Sequence, residues 1–358
     1  MKRIIFILTA LVMGFLNSRA QFENLKEFYD FMVDGIYYEI LSEEDHTVGV
    51  IDPMFRGGWD SGIYCGNMIV PPTVEYEGNT YRVTSFLECW WNHVKKISLP
   101  STIEDVFKGA ISHLWDLEYL GFGEGPRRLE GPSFCENLRV LNLPDSLETI
   151  GEKSLVQVGI ETLWIPRNVK EIEDYCVLEN ENLRQVMFDN EVAYGDIIKS
   201  KLETIGNCCF SYNPNLLTAE LPNTLTYMGE CCFNDCPSLK TVYLPARDLD
   251  LNDCFNGCPS ITYIMVNADE PYPFPESCFM DVDRSKCSLV VPVGSEELYM
   301  KAEGWKDFFR VMGSETLGVK APTVSRVSDG QAYNLDGTPK PDGEKGIAIQ
   351  DGKVIMRK

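Results

Sequence analysis

Apolar residues recur along the middle of the chain in an apolar–x–x–apolar–x–apolar pattern, and a proline often follows the last of them. Segments 94–100 and 138–144 are two copies. Successive copies end 21–23 residues apart, except for one step of 33 residues with an insertion near 191–200. This period predicts a right-handed, β-rich leucine-rich-repeat solenoid of about eight repeats of about 22–23 residues, each burying its apolar side against neighbouring units. The last apolar residues are Leu99, Phe122, Leu143, Ile165, Phe188, Leu221, Leu244 and Val266.

The second half of each unit has its own pattern, which is clearest in segments 205–216 and 228–239. A turn leads to a small residue and a large aromatic residue, and Asn213 or Cys236 follows three positions later. With the strand pattern, this half resembles the BspA-like leucine-rich repeats of bacterial surface proteins over about residues 86–310. Segment 290–309 is similar to the C-terminal capping turn of that family. The chain departs from the family pattern where cysteine replaces the usual alanine and where the repeat beginning at Leu117 is shortened.

The first twenty residues have the pattern of a secretory signal. Lys2 and Arg3 precede an apolar run at 4–16, and the small residues Ser18 and Ala20 follow. The run is too short to cross a bilayer, so we predict export with cleavage after Ala20 rather than a buried helix of a cytosolic domain. The first cysteine is Cys65, too far from the run for a bacterial lipid anchor at this point, and no later stretch approaches eighteen apolar residues. Membrane insertion after cleavage is therefore not expected, and the predicted location is secreted or on a bacterial cell surface.

Different patterns flank the repeats. We predict an N-terminal β cap at 21–85, with a hairpin at 73–83 around a Gly-Asn turn. The solenoid and its C-terminal capping repeat then span 86–312. Residues 313–358 are predicted as a linker and a β-hairpin tail, which is either a sorting signal or a short accessory hairpin.

The charge balance limits the possible partners. The chain has 54 acidic and 32 basic residues, giving a formal net charge of −22. Nucleic acids and anionic membranes attract clustered lysine and arginine, so neither is expected as a partner. An extracellular protein or glycan is the expected ligand.

Thirteen cysteines in an exported chain would ordinarily suggest disulfides. Here the repeat places most of them in columns, where cysteine behaves as a small buried apolar residue. A structural ladder is the preferred interpretation, and a few disulfides or a metal site are the alternatives. The C-x-x-x-C spacing does not match zinc knuckles, so no metal is predicted. Five cysteines share one repeat position: Cys176, Cys209, Cys232, Cys254 and Cys278; Cys236 and Cys258 share another, with Asn180 and Asn213 as counterparts.

Catalytic patterns are missing from the sequence. It contains only three histidines and no H-E-x-x-H, G-x-S-x-G, P-loop or G-x-G-x-x-G motif. The acidic segment 248–253 lacks the glycine and terminal glutamate of an EF-hand. We therefore expect neither an enzyme nor a cofactor.

The strand pattern predicts a binding face. The residues between the apolar positions should face solvent on the concave side of the solenoid, and eight strands should form one sheet there. Aromatic residues and methionine are enriched at interfaces, so their presence on this face predicts ligand binding. The alternative is that they pack against one another or under the insertion near Tyr194. The candidate ligand-binding residues are Trp164, Met187, Tyr243, Met265, Tyr119 and Tyr263.

The resemblance implies adhesion to host matrix proteins, other bacteria or glycans. Adhesion through the concave face is thus the preferred hypothesis. A structural cell-surface spacer and an accessory glycan-handling protein are the alternatives.

Overall fold

The computed structural model describes residues 28–53, 64–87, 89, 93–188, 200–249 and 251–314 in full. Within 191–198 and 332–357 it describes the backbone of six strands. The predicted signal at 1–20 and Tyr194 lie outside the described residues. The described part forms a β-solenoid of about nine turns, which confirms the predicted fold class. We call one turn of the solenoid a rung.

The apolar–x–x–apolar–x–apolar segments form the long strands of the solenoid. In segment 94–99, for example, Val94, Ile97 and Leu99 are buried, so the pattern points its apolar residues into the core. Alternation along a strand sends the residues between them to the opposite side. These strands are β7 (His93–Leu99), β9 (Tyr119–Phe122), β11 (Val140–Asn142), β13 (Thr162–Ile165), β15 (Gln185–Phe188), β19 (Thr218–Glu220), β21 (Thr241–Leu244) and β22 (Tyr263–Val266).

The six strands that precede the repeats mix antiparallel and parallel pairing. β1, β2 and β3 form an antiparallel meander, and β3 pairs in parallel with β6. The predicted hairpin is formed by β5 and β6, but its turn is Glu77–Gly78, one residue earlier than expected. Both turn residues have positive φ, as a type I′ hairpin turn requires. The six strands are β1 (Phe31–Val33), β2 (Ile36–Ser42), β3 (Thr47–Ile51), β4 (Cys65–Ile69), β5 (Thr73–Tyr76) and β6 (Asn79–Phe86).

The prediction that the long strands form one sheet is wrong. The order β4-β7-β9-β11 forms one parallel sheet, and β13 and β15 form a second. A third begins at β19 and continues through β21 and β22 to β23 (Ser288–Pro292) and β24 (Arg310–Ser314). The gap after β15 coincides with the predicted insertion, which folds as an antiparallel hairpin of β16 (Glu191–Ala193) and β17 (Asp196–Ile198).

A second column of two-residue strands runs along the other side of the repeats. Five of them form one parallel sheet in the order β10-β12-β14-β18-β20, with no gap at the insertion. The sixth, β8, pairs with β6 and so joins this column to the N-terminal strands. The strands are β8 (Asp105–Val106), β10 (Arg128–Leu129), β12 (Thr149–Ile150), β14 (Glu171–Ile172), β18 (Thr204–Ile205) and β20 (Tyr227–Met228).

In the turn halves of the rungs, residues of the same type stack on one another from rung to rung. Phe210, Phe233, Phe255 and Phe279 form a column of nearly parallel rings with centroids 5.2, 5.5 and 5.3 Å apart. The five cysteines that share the neighbouring repeat position are all buried. The Cys232 thiol donates to backbone carbonyls of its own rung and the preceding one. This confirms that these cysteines form a buried structural column.

Two asparagines followed by two cysteines form a further buried column. The Asn213 side chain donates to the carbonyls of Val177 (2.9 Å) and Phe210 (2.7 Å). Its oxygen accepts from the Asn180 amide at 2.8 Å. Cys236 stands at the same position one rung later and donates to the Phe210 carbonyl. Both residue types therefore form a hydrogen bond with a buried backbone group of the preceding rung.

Aromatic residues are buried at the C-terminal end of the repeats. Trp305 is buried, and its indole donates to the Tyr272 carbonyl at 2.7 Å. The buried Tyr299, in the short helix α1 (Glu296–Tyr299), donates to the Ala268 carbonyl. The hairpin predicted in the tail corresponds to the antiparallel pair β27–β28. The four tail strands are β25 (Ala332–Tyr333), β26 (Pro339–Lys340), β27 (Gly346–Gln350) and β28 (Lys353–Arg357).

An ion-pair network crosses the column of two-residue strands. Arg128 on β10 binds Glu173 through two hydrogen bonds of 2.6 Å, and Glu173 also accepts from the Glu152 amide. Hydrogen bonding to Arg128 lowers the pKa of Glu173. A carboxyl whose pKa is lower in the folded state stabilises the fold above its unfolded pKa. That contribution disappears as the pH falls below about 4.5 through the folded pKa.

We therefore expect Glu173→Gln to lower the free energy of unfolding at pH 7 and to have a smaller effect at pH 3. Arg128 is partly exposed, so solvent screening limits the expected loss to about 1 kcal/mol. Urea unfolding at the two pH values measures the difference. Glu171→Gln, at an exposed position two residues away, is the control and should change little at either pH. An equal loss for Glu173→Gln at pH 3 and pH 7 would contradict the linkage.

Candidate binding face

The outward side of the long strands carries the candidate residues, and we call it the strand face. Strand pairing places Trp164 directly opposite Met187 in the two-stranded sheet β13–β15. Both side chains are half-buried. The two predicted residues are therefore direct neighbours across two strands at the centre of the repeat array.

A second pair lies in the third sheet. Tyr243 on β21 stands opposite Met265 on β22, and both are half-buried. Tyr263 is on the same face of β22 and is 45% exposed. The row of Tyr243 and Met265 continues through Val290 to Met312, which sequence analysis did not include. These two positions could have been found by extending the strand register into the closing segment.

Tyr119 lies in the first sheet, apart from the other candidates. The Lys96 ammonium is 4.6 Å from the centre of its ring, and the Asn142 amide donates to its hydroxyl at 3.1 Å. A side chain at Gly121 would meet the Tyr119 hydroxyl at 2.7 Å, so the ring lies over this glycine. Much of the Tyr119 surface is therefore already used in contacts within the protein.

Glu220 adds a carboxylate to the strand face. It is half-buried on β19 directly opposite Tyr243. Burial raises the pKa of Glu220 above its ordinary value. Burial and then the charge of Glu220 raise the pKa of Tyr243. The strand pattern also predicts an outward position for Glu220, but it is not among the candidates, because an acidic residue on an outward position is ordinarily solvated.

Other groups that could carry chemistry lie elsewhere. The His93 ring and the Asp116 carboxylate are 2.6 Å apart at an exposed position. A cavity of about 500 Å3 lies beside the turn between β1 and β2, with the buried Tyr38 in its lining. Within the described ranges, no group of three or more His, Cys, Asp or Glu residues is arranged to hold a metal ion.

Three solved structures have a similar chain path. A leucine-rich repeat protein from Bacteroides ovatus is 16% identical over 79% of this chain and 88% of its own, with a TM-score of 0.37. A leucine rich cell surface protein from Faecalibacterium prausnitzii is 13% identical over 81% and 98%, with a TM-score of 0.26. The pneumococcal vaccine antigen PcpA is 14% identical over 80% and 98%, with a TM-score of 0.32. Similarities at this level carry no argument about function.

A match to a protein family covers the repeats themselves. Residues 132–197 and 195–286 match the BspA type Leucine rich repeat region, in six copies. No match is found among curated proteins. The matched residues include all five buried cysteines that share one column and both residues of the Trp164–Met187 pair. The repeats within residues 132–286 are therefore of the BspA leucine-rich type.

Proposed function

We propose that this protein is exported and binds surface proteins or glycans of a host or of other bacteria through the strand face. The observation that carries the proposal is the pairing of Trp164 with Met187 and of Tyr243 with Met265. Each pair remains half-buried on an outward strand position rather than packed in the core. Large aromatic and methionine side chains in that state supply contact area that a partner can cover.

The proposed location rests on the N-terminal sequence pattern, with cleavage after Ala20. None of the helices in the described residues is long and apolar enough to cross a membrane. We also propose the division into a cap at 21–85, a solenoid with its C-terminal cap at 86–312, and a tail at 313–358. The pairing of β4 with β7 supports the first cap, because it covers the outer edge of β7.

The proposal predicts that the double variant Trp164→Ala/Tyr243→Ala loses binding by at least about tenfold, since aromatic residues dominate binding hot spots. The test is an array of host matrix proteins and glycans probed with residues 21–358. The matched control is Tyr212→Ala/Tyr227→Ala, which removes two aromatic side chains that are about half exposed and lie off the strand face. Circular dichroism confirms that each variant is folded.

The outcomes separate the competing functions. A selective loss in the first double variant supports the strand face as the binding site. Equal binding by both double variants would contradict that assignment and leave adhesion to another surface. No binding to any array component would favour a structural cell-surface spacer. Glycan turnover during the assay would favour an accessory glycan-handling protein.

A further inference from the structure

An outward column of left-handed residues runs along the turn halves of five consecutive rungs. Each residue has φ between 50° and 59° although none is glycine. In each of the first four, the backbone N–H donates to the carbonyl of the residue that precedes the next member of the column. The five positions are therefore equivalent, and each lies next to its counterpart in the following rung. The column consists of Lys153, Tyr175, Cys208, Cys231 and Asp253.

Side chains in this column reach the neighbouring rung. The Lys153 ammonium lies 5.4 Å from the centre of the Tyr175 ring. The thiols of Cys208 and Cys231 are close enough that each contributes to the pKa shift of the other. Two residues later, Phe210 and Phe233 stack with centroids 5.2 Å apart, which gives the local spacing of the rungs. Disulfides join residues whose Cα atoms are about 4.4–6.8 Å apart, so this spacing suits a cross-link.

Solvent access distinguishes this pair from the other contacting thiols. Cys208 and Cys231 are both half-buried. Thiols also lie close together in the pairs Cys176–Cys209, Cys232–Cys254 and Cys236–Cys258, but all six of those cysteines are buried. Cys65 is exposed, and no other cysteine is in contact with it among the interactions of the described residues. A dissolved oxidant can therefore reach both members of one pair.

Their chemistry does not suit a catalytic or sensing thiol. Burial raises the pKa of Cys208 and raises that of Cys231 to about 11, and the charges of nearby Asp174 and Asp253 act in the same direction. Reactive cysteines instead have a lowered pKa and positive surroundings. A slowly formed structural bond fits these surroundings better than rapid redox cycling.

We propose that Cys208 and Cys231 are a disulfide-forming site that links two adjacent rungs. A disulfide of the environment, such as oxidised glutathione or an oxidase of the export compartment, is the oxidant. One cysteine thiolate attacks it and releases one reduced thiol, and the second cysteine then displaces the other. The Cys208–Cys231 bond forms, the oxidant's S–S bond breaks, and the two thiol protons end on the two released thiols.

The bond would join the turns that precede β19 and β21. These are the first two strands of the third sheet, which follows the gap at the inserted hairpin. The cross-link would thus hold together the first two rungs of that sheet. Cross-linking restricts the unfolded chain, so the oxidised protein should unfold at a higher temperature, by roughly 5 °C.

The test incubates the folded full chain with oxidised glutathione at pH 8.5, blocks the remaining thiols without reduction, and digests the protein with a protease that cleaves after glutamate. Cleavage after Glu203, Glu220, Glu230 and Glu276 separates the two cysteines into peptides 204–220 and 231–276, because the bond between Glu270 and Pro271 resists cleavage. We expect one linked pair of these peptides with two hydrogens fewer than their sum. Fragmentation should place the bond between Cys208 and Cys231.

Single-residue variants make the result specific. Cys208→Ser and Cys231→Ser should each abolish the linked peptides and the rise in unfolding temperature on oxidation. Cys65→Ser should retain both, because its exposed thiol lies outside the pair. Separate glutathione adducts on Cys208 and Cys231, or a bond that survives either serine variant, would overturn the proposal. Unmodified thiols at both positions after Cys65 has reacted completely would overturn it too.

Discussion

Replacing Phe233 by alanine should lower the free energy of unfolding by about 3–5 kcal/mol, the usual result of removing a buried phenyl ring. The Phe233 ring lies between those of Phe210 and Phe255, with centroids 5.2 and 5.5 Å away. Truncation removes both stacking contacts and opens a cavity between two rungs. The rungs are held by closely spaced backbone hydrogen bonds, so they cannot collapse to fill it. Urea unfolding followed by circular dichroism measures the change.

Phe309→Ala is the matched control for this prediction. Phe309 is 67% exposed, so the same truncation should change the free energy of unfolding by much less than 1 kcal/mol. A similar loss in both variants would mean that the column of rings contributes nothing specific. A small loss for Phe233→Ala alone would mean that neighbouring side chains can close the cavity.

Asn213→Ala should lower the free energy of unfolding by about 3–4 kcal/mol, although it removes only a short side chain. The substitution breaks three buried hydrogen bonds, to the Val177 carbonyl, the Phe210 carbonyl and the Asn180 amide. The Asn180 amide would then be left without its acceptor, and such buried groups are costly. Urea unfolding gives the loss, and faster hydrogen exchange at the Asn180 amide locates it.

Two further variants test this explanation. Asn215→Ala removes an exposed asparagine whose amide makes one hydrogen bond, to the Glu181 carbonyl, and should cost about 0.5 kcal/mol. Asn213→Cys copies the residue found at Cys236 and should recover part of the stability through a thiol–carbonyl bond. If Asn213→Cys were as unstable as Asn213→Ala, the two residue types would not be interchangeable in this column.

The repeat period carried most of the structural information in the sequence. It placed the long strand of each of the eight predicted repeats, because apolar spacing and burial have the same physical origin. It also predicted that Asn180 and Asn213 are counterparts of Cys236 and Cys258. The structure confirms this as one buried column of side chains that donate to the preceding rung.

The division of the strand face could not be predicted in the same way. Strand pairing depends on the displacement of each rung relative to the one before it. The repeat pattern in the sequence contains no information about that displacement. At the first gap, the Arg139 guanidinium donates to the Gly159 carbonyl at 2.9 Å, just before β13. At the second, the β16–β17 hairpin extends the chain between β15 and β19. A long side chain and an insertion thus accompany the two interruptions.

The candidate residues show the same limit. Sequence spacing correctly put Trp164 and Met187, and Tyr243 and Met265, on one face in register. It could not show that Tyr119 lies over Gly121, since that contact depends on the conformation of a single ring. The binding role of all six candidates stays a prediction for the array experiment.

The stacking of like residues on like residues has an evolutionary consequence. Adjacent rungs carry the same residue types at their contacting positions, with phenylalanine on phenylalanine and cysteine on cysteine. Unequal recombination that duplicates or deletes one whole unit within this run would therefore leave the interior matched. Only the outward residues of one strand would be gained or lost. The number of strands in the recognition surface can thus change during evolution without a change in how the interior of the protein packs.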